Sequence, residues 1–445
     1  MDTTATRPES KVILLGLNEL NFDFVEQYGR RGALPNFTRL LRDLTLTRTV
    51  SEKAYPYLEP WIQWVTVQTG LSYEDHQVFR LGDIVNHAHP QLWELVARKY
   101  GASVAAISPM NASNQLADIK GAVFVPDPWT QTPVTAPADV RLLYEGVQQA
   151  VNDNADSKIT LASAAKIMLG LLRNLRPASI RTCARLAAGA RQGKWRKALV
   201  LDRIMADVFI RQTARGGFEF STLFLNAGAH IQHHYMFASQ CYSGPLRNPD
   251  WYCPPGADPI REVYQLYDEI VGDVMRRFPD YRVLICTGLS QRPNPKLIFY
   301  YRPRNHESLL RQLGLRFTSV APRMSRDFLV TFDTAADAVA GEQLLHSFKA
   351  LNGDDVFLVD NRGTDLFCML MYTNEIEPGF RITNGEVTVH DFASCVSLVS
   401  IENGIHQTTG YLIDTGMRND AQCAEAAEIP LTAVFQRVMN AFEAA

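Results

Sequence analysis

The stretch Lys11-Val12-Ile13-Leu14-Leu15-Gly16-Leu17-Asn18 decides the fold. Its apolar residues run without a break instead of alternating with polar ones. A strand of that kind is covered on both faces, as in a parallel sheet held between layers of helix. The run stops at an amide and an acid, Asn18 and Glu19. Ligands of open α/β sheets gather at the carboxyl ends of the strands, so this polar stop is the first place to look for a site.

Outward from it, residues 21–44 carry helical spacing (Phe22, Phe24, Val25, Tyr28) that Gly32 and Pro35 interrupt. A second helix begins over 61–69, a third over 91–99 feeds a strand at 103–107, and 139–151 is again helical. Strand and helix then alternate at 218–226, 260–278 and 281–287, with a loop rich in Pro, Gly and aromatics over 239–259. The pattern predicts an α/β fold, a mostly parallel sheet sandwiched by helices. Residues 328–332 alternate as a strand, 334–348 form an Ala-rich helix, and 356–359 and 366–371 are strand-like. That β-α-β-β order reads as a small α+β unit of ferredoxin-like type. Segments 395–401, 410–413 and 431–442 return to strands and a closing helix. The expected division is a core of 1–156, 218–292 and 393–445, a helical basic insert at 157–217, and an α+β insert at 293–392.

At 445 residues the chain exceeds the size at which one core stops growing, so inserts or a second domain are expected. A net charge of −3 supplies no pull toward nucleic acid, which is excluded as a partner. Seven scattered cysteines without a CxxC pair argue for a reducing compartment. Cys253, in the rigid turn 252–256, has no histidine partner by motif. The polar start and the lack of any stretch near the roughly 20 apolar residues of a bilayer span give a cytoplasmic expectation. Residues 157–201 stand apart: ten Lys or Arg, no acid, and a set of leucines between them. That is either a solvated helical lid or a basic amphipathic hairpin in peripheral contact with the inner face of a membrane.

Five segments carry a resemblance. They are the strand 11–18 with Leu34-Pro35-Asn36-Phe37-Thr38-Arg39-Leu40, then Glu59-Pro60-Trp61 leading to Thr69-Gly70, and then Asn226 through Tyr235. The strand 282–286 running into Thr287-Gly288-Leu289, and Gly404-Ile405-His406 before Gly410, complete the set. In this order they resemble the alkaline phosphatase superfamily, in particular its type I phosphodiesterase/nucleotide pyrophosphatase branch. The resemblance implies a phosphoester hydrolase in which two zinc ions polarise the phosphoryl group and activate a Ser or Thr nucleophile. On that alignment Asn18 stands for a metal-binding aspartate and Pro60, beside Glu59, occupies the nucleophile slot. Ala229 replaces an aspartate, and Gly288 and Leu289 replace an Asp-His pair. His233 and His406 keep their ligand slots.

A di-zinc centre is therefore not expected. One divalent metal, zinc first, is the reading, with His233, His406, Asn18, Glu59 and His234 as ligands. Glu59, Glu19 and His230 are the catalytic candidates, and Asn226, Trp61 and Thr287 the substrate-binding ones. His230, His233 and His234 stand at i, i+3 and i+4, which on a helix puts three imidazoles on one side. The expected activity is a divergent phosphodiesterase-like hydrolase or transferase acting on a phosphorylated or anionic ester, free or lipid-linked. The alternative is a catalytically inactive scaffold that binds a ligand or serves at a membrane surface. Crowding of so many polar residues favours use over decay, because burying them unpaired costs several kcal/mol.

Overall fold

The structure, a computed structural model, describes residues 11–152, 161–323, 326–418 and 428–443. Its centre is an eight-stranded sheet built from β1 (Val12–Leu17), β2 (Leu44–Val50), β3 (Val104–Ile107), β4 (Val123–Val125), β5 (Phe220–Leu225) and β6 (Arg282–Cys286). A long two-stranded ribbon of β7 (Ser290–Pro303) and β8 (Val396–Gln407) leaves this sheet, which β9 (Thr409–Arg418) and β10 (Glu428–Pro430) complete. The spatial order is β10-β2-β9-β6-β1-β5-β3-β4. Strand β1 pairs in parallel with β5 and β6, β3 pairs in parallel with β5 and β4, and β9 runs antiparallel to both its neighbours. The mostly parallel sheet between helices expected from sequence is what the chain forms.

Every residue of β1 is buried, and its side chains divide between two cores. Ile13, Leu15 and Leu17 join a cluster with Phe22, Val25, Tyr264 and Tyr267; Val12 and Leu14 join another with Trp64, Trp93 and Val434. Period-2 alternation thus feeds both layers of helix, which is why the run is apolar throughout. Gly16 is required by packing. A Cβ there would stand 2.7 Å from the Trp64 ring, which crosses the strand at that point.

Five helices frame the strand ends: α1 (Phe22–Arg30), α2 (Pro60–Thr69), α3 (Arg196–Gly216), α4 (Ala227–Tyr235) and α5 (Pro259–Arg277). Asn21 caps α1 by accepting from the backbone of Asp23 and Phe24, and proline opens α2 and α5 where a missing N–H costs nothing. Within the basic stretch, helices Leu161–Asn174 and Pro177–Gly189 are followed by α3, which packs on β3 and β5 and adds Leu199, Val208 and Phe209 to the main core. Lys158 lies outside the described residues, as does the side chain of Lys166.

The third core lies under residues 297–401. Its four-stranded sheet joins Phe357–Asn361, Asp365–Leu370, Asp327–Thr331 and Ser319–Pro322, all antiparallel, with helix Ala335–Ser347 between the two hairpins. The unit is α+β. Strands Asp327–Thr331 and Phe357–Asn361, joined through the helix, flank Asp365–Leu370, which runs antiparallel to both, so a βαβ unit is split by a third strand as the ferredoxin-like expectation requires. No helix among the described residues is long and apolar enough to cross a membrane. The six described cysteines are free. Burial raises the Cys253 thiol to about 11, which removes it as a nucleophile.

Candidate metal centre

Where β1 ends, the chain turns sharply. Glu19 has φ of +58°, a left-handed conformation that costs a residue with a Cβ about 1 kcal/mol or more. Four partners hold it there. Its N–H donates to the Thr287 carbonyl at 3.0 Å and its own carbonyl accepts from Gln232 Nε2 at 2.7 Å. Oε1 accepts from Asn18 Nδ2 at 3.0 Å, and Oε2 from Gln291 Nε2 at 2.5 Å. The result is a carboxylate 1% exposed, fixed at the carboxyl end of the central strand.

Two histidines meet it. His233, on α4 after β5, and His406, on β8, each place Nε2 3.1 Å from Glu19 Oε2, and the two Nε2 atoms are also 3.1 Å apart. Both rings are anchored from behind. His233 Nδ1 lies 2.9 Å from the Gly404 carbonyl, so its proton belongs there and the Nε2 lone pair faces inward. His406 Nδ1 faces the Leu58 backbone and lies 3.7 Å from Glu59 Oε2. Ligating histidines are oriented by this kind of outer contact. The ribbon register places Gln291 directly opposite His406, so one hairpin supplies both the ligand and the amide that steers Glu19.

Three electron-rich atoms in an equilateral triangle require positive charge at their centre. Ligand atoms around a tetrahedral ion at about 2.0–2.1 Å stand roughly 3.3 Å apart, close to the 3.1 Å found here. The residues present therefore fit a mononuclear divalent ion, and two imidazoles with one carboxylate form a set that leaves positions open. This is also the one group of metal-competent side chains among the described residues. Without an ion the charge is a proton. Burial opposes protonation of His406, but Glu19 and then Glu59 outweigh it and raise its pKa to about 9. Burial likewise opposes ionisation of Glu19, yet the two histidines hold it well below the usual carboxylate range.

The remaining expected site residues fall as follows. Asn18 is no ligand: its Oδ1 accepts from Trp64 Nε1 at 2.7 Å, while Nδ2 is shared between Glu19 and Asn226 Oδ1. His234 points away, Nδ1 3.3 Å from the Ile401 carbonyl, with its ring edge-on to His230 at 4.9 Å. A helix rotates about 100° per residue, so His233 faces the triangle and His230 and His234 share the adjacent face. Desolvation lowers the pKa of His230 to about 4; His234 is lowered likewise, and both stay neutral. Glu59 sits behind His406, outside the triangle, and burial raises its pKa. Trp61 donates to the Phe79 carbonyl, and Thr287 is fully buried, its Oγ1 accepting from the Tyr411 N–H. Gln232 and Gln291 are missing from the expected set. They act across more than 200 residues of chain, a distance no local motif reports.

An α/β sandwich with an imidazole–carboxylate triangle at its strand ends is the class that fold and site define. No protein-family model matches the chain, and no curated protein matches it. Among solved structures, phosphonoacetate hydrolase from Sinorhizobium meliloti 1021 in complex with phosphonoacetate aligns over 98% of this chain and 97% of its own, at 11% identity and a TM-score of 0.42. Human ectonucleotide pyrophosphatase/phosphodiesterase 5 aligns over 98% and 95%, at 9% identity and a TM-score of 0.41. Both belong to the alkaline phosphatase superfamily.

Proposed function

We propose that the chain is a mononuclear metal-dependent hydrolase acting on a phosphorylated or similarly anionic ester. The observation that carries this is the triangle of Glu19 Oε2, His233 Nε2 and His406 Nε2, each edge 3.1 Å. A bound divalent ion, zinc by donor set, would supply Lewis-acid polarisation of the ester and lower the pKa of water. The substrate class follows the motif order of the sequence.

The chain's own residues do the rest. Asn18 and Gln291 fix the two Glu19 oxygens, so the carboxylate does not reorganise during turnover. Gly404 keeps His233 in the tautomer whose Nε2 lone pair faces the site. Glu59, whose pKa burial raises and which sits behind His406, is placed to hold a proton at Oε2 near the cleft. Pro60 leaves no hydroxyl at the expected nucleophile position, so water rather than a covalent intermediate is the route. The test is zinc titration by calorimetry together with hydrolysis of aryl phosphodiesters and monoesters. Wild-type protein should bind one ion and turn over, and His233→Ala should lose both. Turnover that survives His233→Ala with no metal bound would refute the reading.

One observation favours a second reading, a non-catalytic binding protein. The Glu19–His406 pair is self-satisfied as an ion pair when protonated, so the cluster is stable as a scaffold element. That reading predicts a dissociable anionic ligand and no turnover with any divalent ion.

A further inference from the structure

The basic stretch has no part in the site, yet ten Lys or Arg without an acid set it apart from the rest of the chain. On helix Pro177–Gly189 the buried stripe is Ser179, Cys183 and Leu186. About 100° round the helix, at the same spacing, stand Ile180, Ala184 and Ala187, all exposed. Ile180 is 52% exposed; on the preceding helix, Leu161–Asn174, Leu172 is 75% and Leu169 40% exposed. Only two residues join the helices, and both pack on α3. Large apolar side chains this open to water carry a cost that a partner would relieve.

Cations stand on the same helices and on the turn that leads into α3. Arg173, Arg181, Arg191, Lys194 and Lys197 are exposed and make no ion pair among the described residues. Two other arginines of the stretch are already used: Arg176 pairs with Asp207 and Asp273, and Arg196 with Glu262. The free cations are therefore those that point outward. Their position matters too. Helix α3 runs back against β5, and Asp202 in its second turn accepts from the Ala227 N–H just beyond the end of β5, at 2.8 Å. Lys194 and Lys197, at the start of α3, thus lie at the same end of the sheet as the metal centre.

We propose that this face seats on an anionic bilayer surface. Charge complementarity selects that occupant. A second copy of the chain would bring like charges face to face in a two-fold contact, which is repulsive. Exposed apolar side chains on the same helical unit as long cationic ones match an interface where apolar tips enter the acyl boundary and ammonium and guanidinium groups meet headgroup phosphates. The inference is independent of the chemistry at the metal centre.

Co-sedimentation of the full chain with vesicles tests it, using phosphatidylcholine alone or with about a third phosphatidylglycerol. Binding is expected to the mixed vesicles only, and to be lost near 0.5 M salt, where the Debye length falls to about 4 Å. Arg181→Gln with Lys194→Gln should lower the partition coefficient about 25-fold, roughly five-fold per charge. Leu172→Ser with Ile180→Ser should weaken binding while leaving the unfolding midpoint and metal stoichiometry unchanged, since all four positions are exposed. Three results would overturn the proposal. They are absence of binding to mixed vesicles, equal binding to neutral ones, and a concentration-dependent dimer in light scattering that Leu172→Ser/Ile180→Ser abolishes.

Discussion

Two buried charge clusters in this molecule are built on opposite plans. Beneath the basic helices, Arg176, Arg203, Asp207 and Asp273 alternate in sign. Asp207 accepts from Arg176 Nε at 2.9 Å, from Arg203 Nη2 at 2.5 Å, from the Arg176 N–H at 2.9 Å and from Ser179 Oγ at 2.9 Å. Arg203 is 3% exposed in its side chain and Asp207 wholly buried. At the strand ends, by contrast, Glu19, His233 and His406 converge with three acceptor atoms and no fixed cation. The first cluster balances its own charge as it stands. The second is complete only with something added, a proton or an ion, and that difference separates scaffold from site.

The contrast breaks most visibly at Asp207. Arginine cannot shed its charge, so Asp207→Ala leaves two guanidiniums to share Asp273 alone and should cost about 3–5 kcal/mol in urea unfolding. Metal affinity should not change. The reverse applies at Glu19→Gln. His406 can simply lose its proton, so unfolding free energy should move by no more than about 1 kcal/mol. Zinc affinity measured by calorimetry should fall by more than about 100-fold, since a ligand is lost rather than an outer contact. Equal effects of the two substitutions on stability would dissolve the distinction.

His76 sharpens the comparison at smaller scale. It is a buried histidine with no convergence: Nδ1 accepts from the Val78 N–H at 3.0 Å, and Nε2 meets Thr66 Oγ1 at 3.2 Å. Desolvation first, and then the charges of His89 and His87, lower its pKa to about 4. The folded state therefore binds its proton later than the unfolded chain does. Stability from this group is whole above the unfolded value near 6.5 and is lost as pH falls toward 4. Between pH 6.5 and 5 the wild type should lose about 2 kcal/mol more than His76→Gln, read from unfolding curves at each pH.

Much of the fold was legible because its causes are local. An unbroken apolar run gives a doubly covered strand, and β1 is buried at every position. Pro35 interrupts the helical spacing of 21–44 and in the structure opens a new helix there, and Pro60 opens the helix expected from 61. Strand Leu44–Val50 escaped notice because its alternating Thr and Leu follow a helix without a break, and β7 was read only as the start of an insert. At the site, Glu19 and His233 stood out as polar residues after apolar strands, and His406 as a histidine ahead of one. That they converge depends on parallel register between β1, β5 and β6 and on the ribbon that returns His406 to Gln291, neither of which leaves a local trace. The same blindness made Asn18 look like a ligand. Its neighbour Trp64, 46 residues away, is what occupies its oxygen.

The ribbon of β7 and β8 is also a lever. Twelve residues of β8 at about 3.3 Å each make an arm of roughly 40 Å. One end bears His406 and Gln291; the other is woven into the third core through Phe299, Tyr301, Val396 and Ile401. A torque applied to that distal unit arrives at the triangle as a displacement of one vertex and of the amide that steers another. Whatever docks on the far end is, mechanically, a hand on the metal centre.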